Sequence, residues 1–370
     1  MRKKELKDTP GIVFRQPDGS FHISPPAYIR DLDEMAPPAA SMLNFSYYRR
    51  GKNASYVIVA SRGCPLKCSY CSVGKHAGIK FRQRSVSSII QEMKTAVYDF
   101  NVKFIDFEDE NISFSKPWFK ELLRAIIHNF GNTSMELRAM NGLFPPTLDD
   151  EAVSLMKDAG FQILNLSLGT TSKAQLNRFN RPDVTISFEQ ALTLAETHRL
   201  EAVGYIIVGA PHQDPDDSVS DLLYMAQQRV LAGVSVFYPS PGSMDFDRCR
   251  DLGILPVMQS LYRSSALPIS HKTKRQDAVT LLRLSRILNF MKALIDQGID
   301  IPTPIPFNEA RPKSFTNKME IGRMLLRLFL HDGIIRGITS SGQIYTHTVN
   351  TDLTHRFVEG LKDIKIKGCK

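Results

Sequence analysis

The chain has 370 residues, 42% hydrophobic and 23% charged, and 47 basic against 38 acidic side chains leave a net charge of +9. These are the proportions of an ordinary globular protein; no run of eighteen apolar residues marks a membrane span, and the basic start leads into Asp8, Thr9 and Pro10 rather than the apolar core of a secretory leader. Five cysteines, three of them packed within eight positions, argue against a disulfide framework and for a reducing cytoplasm.

Taken in chain order, residues 1–50 read as a hairpin and linker. Gly11–Arg15 and Phe21–Ile23 flank the turn Pro17-Asp18-Gly19-Ser20, and the pairs Pro25-Pro26 and Pro37-Pro38 favour extended chain. From residue 51 to 245 short apolar strands alternate with amphipathic helices. The strands are expected at Tyr56–Ala60, Val102–Phe107, Met135–Ala139, Ile163–Leu168, Ala202–Val208 and Val234–Tyr238. Ser85 can cap one helix, Thr147 with Asp150 can open another that stops at Gly160, and Asp214-Pro215-Asp216-Asp217 opens a third, with Gly233 beyond its end. Residues 246–370 break the rhythm. Helical patterns at 277–297, Lys318–His331 and Leu353–Asp363, with a hairpin about Ser340-Ser341-Gly342, read as a mostly helical C-terminal subdomain.

Strands alternating with helices call for a parallel sheet with right-handed crossovers. Six such units make an incomplete βα barrel or an open doubly wound sheet, and in either the chemistry belongs at the carboxyl ends of the strands. The α/β class is therefore expected, with a partial (β/α)6 barrel over 51–245.

Directly after the first strand stands Ser61-Arg62-Gly63-Cys64-Pro65-Leu66-Lys67-Cys68-Ser69-Tyr70-Cys71. Three thiolates from one loop are soft ligands suited to an iron–sulfur cluster. A [4Fe–4S] cluster held by three cysteines keeps one iron free for a cofactor. Structural zinc is the competing assignment, but it takes four ligands in paired spacings, and Cys249 and Cys369 stand alone.

The C-x3-C-x2-C spacing, with the aromatic Tyr70 before the last cysteine, resembles the radical S-adenosylmethionine (SAM) superfamily. The resemblance implies that Cys64, Cys68 and Cys71 hold a [4Fe–4S] cluster whose free iron binds SAM. Reductive cleavage then yields a 5′-deoxyadenosyl radical that abstracts hydrogen from a substrate. It also implies SAM contacts at strand ends. Glu108, Asp109 and Glu110 match the acidic motif for the SAM amino group, and Arg138 stands where a basic residue serves its carboxylate or ribose. Gly169 and Ser172 lie in a stretch resembling Gly-x-Glu-Ser, with Thr171 in place of the glutamate. Val208 and Gly209 end the strand that flanks adenine, and Tyr238 opens a Pro-x-Pro-Gly stretch.

The hairpin, the linker and the Ser-Arg-Gly-Cys-Pro and Pro-x-Pro-Gly stretches resemble the cobalamin-dependent branch, catalytic portion only: the cobalamin-binding domain and its Asp-x-His-x-x-Gly motif are not in this sequence. Cobalamin use, and a separate cobalamin-binding chain, thus stay open. The implied partners are a small-molecule substrate and a flavodoxin- or ferredoxin-type reductant. The positive charge also allows RNA, and with it a methylthiotransferase-like alternative, although the basic residues are scattered. A non-enzymatic iron–sulfur electron carrier or sensor is the remaining alternative.

Overall fold

The apolar runs and capping residues noted above translate into elements nearly where expected in the computed structural model, which describes residues 6–73, 80–263, 269–309 and 317–370; the basic start Met1–Glu5 lies outside them. Strands β1 (Val13–Arg15) and β2 (Phe21–Ile23) pair antiparallel. Their turn is held by Asp18, whose carboxylate accepts from the Ser20 amide at 2.9 Å. Then β3 (Arg49–Arg50) turns back antiparallel into β4 (Asn53–Ile58). A small antiparallel pair, β5 (Ser61–Arg62) with β6 (Arg82–Gln83), closes the base of the long loop that carries the cysteines.

Beyond it the βα alternation is regular. Helix α1 (Val86–Lys94) is capped by Ser85, whose hydroxyl accepts from the Ser88 amide. There follow β7 (Val102–Phe107), α2 (Lys116–Phe130), β8 (Glu136–Arg138), α3 (Asp150–Ala159), β9 (Ile163–Gly169), α4 (Lys173–Arg178), α5 (Thr185–Thr197), β10 (Glu201–Val208), α6 (Pro215–Ala226) and β11 (Leu231–Val236). Asp214 caps α6 as expected, ahead of Pro215. Thr147 does not open α3: it ends a 3-10 turn, Pro145–Thr147, and the cap is Asp149, which accepts from the Ala152 amide. Asp149 is free to cap because its own backbone is extended, whereas Thr147 spends its hydroxyl on the Phe144 carbonyl at 2.6 Å. Gly233 lies inside β11, where the Tyr205 ring takes the space a side chain would need.

Six strands run parallel in chain order, but not as one sheet. β4, β7 and β8 form one (with β3 at its edge), and β9, β10 and β11 form the other. Between β8 and β9 only two isolated parallel bridges occur among the described residues, Leu137 with Phe161 and Leu143 with Leu166. The core on this scaffold includes Ile58, Ile105, Leu137, Leu166 and Ile206.

The C-terminal part adds α7 (Met244–Asp251), α8 (Arg275–Asp296), α9 (Lys318–Asp332), the antiparallel pair β12 (Arg336–Ile338) and β13 (Ile344–Thr346), and α10 (Thr351–Lys362). Helix α8 packs on β11 and α6. Its Asn289 amide pairs with both backbone groups of Ala232, at 2.8 and 2.9 Å, and so occupies hydrogen-bonding groups on that strand's edge. No helix of the described residues is long and apolar enough to cross a membrane.

Helix α3 ends at Gly160, in the left-handed region at φ +110°, and a Cβ there would collide with the Met135 carbonyl oxygen. Gly160→Ala should therefore cost about 2 kcal/mol or more, read as a lower denaturant midpoint with an unchanged slope. An unchanged midpoint would mean that the α3–β8 approach gives way easily.

Candidate active site

The cysteine loop is pinned at both ends by groups far away in sequence. At its start the buried Asp109, just after β7, accepts from the Ala60 amide at 3.1 Å and from both the amide and the hydroxyl of Ser61. Glu110 accepts from the Gly63 amide at 3.1 Å. Gly63 itself has φ +87°, so the turn into Cys64 favours glycine. Farther along, the Ser69 amide donates to the Phe179 carbonyl at 2.8 Å, and its hydroxyl donates to Asp245 at 2.7 Å. Asn180 holds the Lys67 carbonyl at 3.0 Å.

Cys64, Cys68 and Cys71 are all free thiols. Burial, reinforced by the neighbouring thiolates and Glu110, pushes Cys64 and Cys71 above the ordinary thiol value. Adjacent thiols whose ionisation is disfavoured in this way are stabilised as thiolates by a cationic centre, and that is what an iron–sulfur cluster supplies. Among the described residues no group of three His, Cys, Asp or Glu is arranged to hold a single metal ion. A cluster, which presents separate irons, does not require its thiolates to meet at one point. Two neutral or cationic donors face the sulfurs at 3.9 Å: the Asn111 amide toward Cys64 and the Arg181 guanidinium toward Cys68. The donor set thus fits a cluster.

Beside the loop opens a cavity of about 820 Å³, within the size range of small-molecule sites. Tyr70 and Cys71 line it, as do Glu108 and Glu110 after β7, Gly169 at the end of β9, Tyr205 and Ile207 on β10, and Tyr238 with Arg263 beyond β11. Arg181 lines it too and was not singled out in the sequence. Its guanidinium donates to the Tyr70 hydroxyl at 3.1 Å, to the carbonyls of Ser167 and Leu168, and toward Cys68, with no carboxylate partner among the described residues. Gly169, at φ +89°, leaves the room this side chain occupies: a Cβ there would lie 2.9 Å from Arg181 Nε.

The expected contacts divide. Tyr70, Glu108, Glu110, Gly169 and Tyr238 come together around the cavity. Asp109 is consumed by the loop. Arg138 pairs with Asp106, its Nε 2.9 Å away, and its guanidinium lies over the Phe104 ring. Ser172 caps α4 and donates to Asp217 at 3.0 Å. Val208 and Gly209 are not among the cavity-lining residues, and their neighbour Ile207 is. Thr171, at the variant position, donates both its amide and its hydroxyl to the buried Asp221 at 2.6 Å.

Burial raises Asp221 from 3.8 to about 6 despite those bonds. A raised carboxyl binds its proton in the folded chain while the unfolded chain has lost it. Its stabilising contribution is thus full below pH 3.8 and is lost as pH climbs to about 6, at ~1.4 kcal/mol per unit, or about 3 kcal/mol in all. Asp221→Asn should therefore gain on the parent chain as pH rises across that window and hold level above it. A constant difference in denaturant midpoint from pH 4 to 6 would contradict this.

Residues 58–223 match the family model of the Radical SAM superfamily. An uncharacterized methyltransferase of Pyrococcus horikoshii is 22% identical over 242 residues, 65% of this chain and 52% of that protein. The bacteriochlorophyllide d C-12(1)-methyltransferase of Chlorobaculum tepidum is 24% identical over 227 residues, 60% of this chain and 49% of its own. Among solved structures, the cobalamin-dependent SAM radical enzyme OxsB with aqua-cobalamin bound superposes with TM-score 0.58 at 12% identity. That match covers 89% of this chain and 54% of OxsB. The chain spans about half the length of the relatives it matches. The matched domain, residues 58–223, implies a [4Fe–4S] cluster and SAM.

Proposed function

We propose that this chain cleaves SAM reductively and uses the resulting radical chemistry on a small-molecule substrate, with carbon methylation as the reaction type. One observation carries the reading: the cysteine loop and side chains from five other strand ends border a single cavity. Residues 51–245 would form the catalytic unit, a partial (β/α)6 barrel, with 1–50 as hairpin and linker and 246–370 as the C-terminal subdomain. Cys64, Cys68 and Cys71 would hold the cluster. When bound, it supplies the electron that splits SAM into methionine and a 5′-deoxyadenosyl radical.

The chain's own residues then divide the work. Glu108 and Glu110 offer carboxylates to an ammonium in the cavity that Cys71 also lines. Arg181, a buried cation, suits a carboxylate. Tyr70 and Tyr205 wall the cavity, and Tyr238, with Arg263 over its ring at 5.3 Å, stands at a more exposed edge. Similarity to methyltransferases supports methylation, and the cobalamin-bound neighbour supports cobalamin as a further cofactor.

The test is anaerobic reconstitution with iron and sulfide, reduction, and electron paramagnetic resonance with and without SAM, followed by assay for 5′-deoxyadenosine. A [4Fe–4S] signal that shifts with SAM, together with 5′-deoxyadenosine, is expected. A cluster indifferent to SAM would replace the reading with that of an electron carrier, and stoichiometric zinc would overturn it.

A further inference from the structure

Helix α6 carries four oxygen-bearing side chains on one face: Asp214 at its cap, then Asp217, Ser218 and Asp221, at the i, i+3, i+4 and i+7 spacing that stacks side chains along a helix. That face meets the segment Thr170–Ser172, which leaves the end of β9. Thr171 gives its amide and its hydroxyl to Asp221 Oδ1, both at 2.6 Å, and the Ser172 hydroxyl donates to Asp217 Oδ2 at 3.0 Å. The Thr170 hydroxyl also lies against Asp221 and favours its ionised form. Two oxygens are left over. Asp221 Oδ2 and Ser218 Oγ are buried without a hydrogen-bond partner, on residues that are both 0% exposed. Nor does a side-chain cation meet the charge. Lys272 stands 3.9 Å from Asp214 and Arg356 2.9 Å from Asp216, whereas Asp217 and Asp221 have no ion-pair partner among the described residues. A buried carboxylate is costly unless its charge is answered, and Asp217 beside it adds to the cost.

We infer that Asp221 Oδ2 and Ser218 Oγ, with the Thr170 hydroxyl at their side, bind a monovalent metal cation, sodium or potassium, between α6 and the end of β9. Carboxylate and hydroxyl oxygens are hard donors and select a hard cation. The charge selects a monovalent one. Asp217 is engaged by Ser172, so a single carboxylate oxygen and neutral hydroxyls face the ion, and among the described residues no three His, Cys, Asp or Glu gather round a metal. The ion takes the place of the proton that Asp221 holds at lower pH. It does no chemistry of its own: it ties the turn after β9 to α6. That turn begins at Gly169, which borders the cavity and leaves Arg181 its room. The site stands apart from the cysteine loop, and the inference does not depend on the reaction proposed above.

The probes are sodium chloride and potassium chloride, each set against tetramethylammonium chloride at equal ionic strength, with the melting temperature of the full chain as the readout. The pH is kept well above about 6, where Asp221 is ionised. The melting temperature should climb with the logarithm of the concentration of the ion that binds, and stay level in tetramethylammonium. Ser218→Ala deletes a hydroxyl without a partner, so it should melt like the parent in tetramethylammonium and need about tenfold more ion for the same gain. Asp221→Asn should lose the response to either ion. Thallium(I), a heavy stand-in for potassium, should give a bound magnetic resonance signal that Asp221→Asn removes. Equal melting in all three salts would overturn the inference and assign the two oxygens to water. So would an undiminished response in either variant, or a response to magnesium alone. Should Asp221→Asn fail to fold, Ser218→Ala decides the matter by itself.

Discussion

Cys68→Ala is expected to abolish cluster assembly while leaving the chain folded. Cys68 is the most enclosed of the three thiols, and it stands between the two anchors of its loop, Gly63 on Glu110 and Ser69 on Asp245. Those anchors do not involve its sulfur, so the loop keeps its path. The side chain lost is one sulfur atom, at a cost of about 1 kcal/mol to the fold. The cluster is affected far more. Loss of an outer partner lowers metal affinity by roughly 10–100-fold, and loss of a ligand costs more. Iron and sulfide after reconstitution should fall by more than about tenfold, with the thermal transition close to that of the parent. Full retention of both would remove Cys68 from the ligand set.

Arg181→Met should give the largest loss of stability among single changes near the cavity. Methionine keeps most of the length of the stem but none of the donors. The carbonyls of Ser167 and Leu168 near the end of β9 and the hydroxyl of Tyr70 on the cysteine loop would then lose a donor. Each buried acceptor left without a partner costs about 1–3 kcal/mol, so a total of about 3 kcal/mol is a fair lower figure. That corresponds to a melting temperature lower by roughly 6–12 °C. Arg181→Lys, which keeps the charge but not the planar fork, should restore part of the stability. Both variants should also bind SAM more weakly, read from the SAM-induced change in the cluster signal. SAM affinity equal to the parent's in both would make Arg181 a strut between β9 and Tyr70 rather than part of the binding site.

What the sequence alone determined was set by near neighbours. The six strands, the Ser85 and Asp214 caps, the Gly160 stop and the late hairpin each depend on residues within a few positions of one another. The cysteine trio was legible for the same reason, since all three thiols lie on one loop. The false start at Thr147 was also local: Asp149, two residues on, caps the helix from an extended backbone, whereas Thr147 ends a 3-10 turn.

The tertiary structure alone decided which polar side chains reach the cavity. Arg181 stands 113 residues from Cys68, with no periodic pattern or motif to single it out, and β9 and the turn after α4 bring the two together. Asp109 and Glu110 are adjacent in a carboxylate run, yet one is spent on the amides of Ala60 and Ser61 while the other borders the cavity. Arg138 sits at the expected strand end but is taken by Asp106 across the neighbouring strand. A strand end specifies where a loop begins. The direction of each side chain depends on which buried donors and acceptors face one another once the strands have packed, because unpaired polar groups in a core are costly and claim the nearest partner.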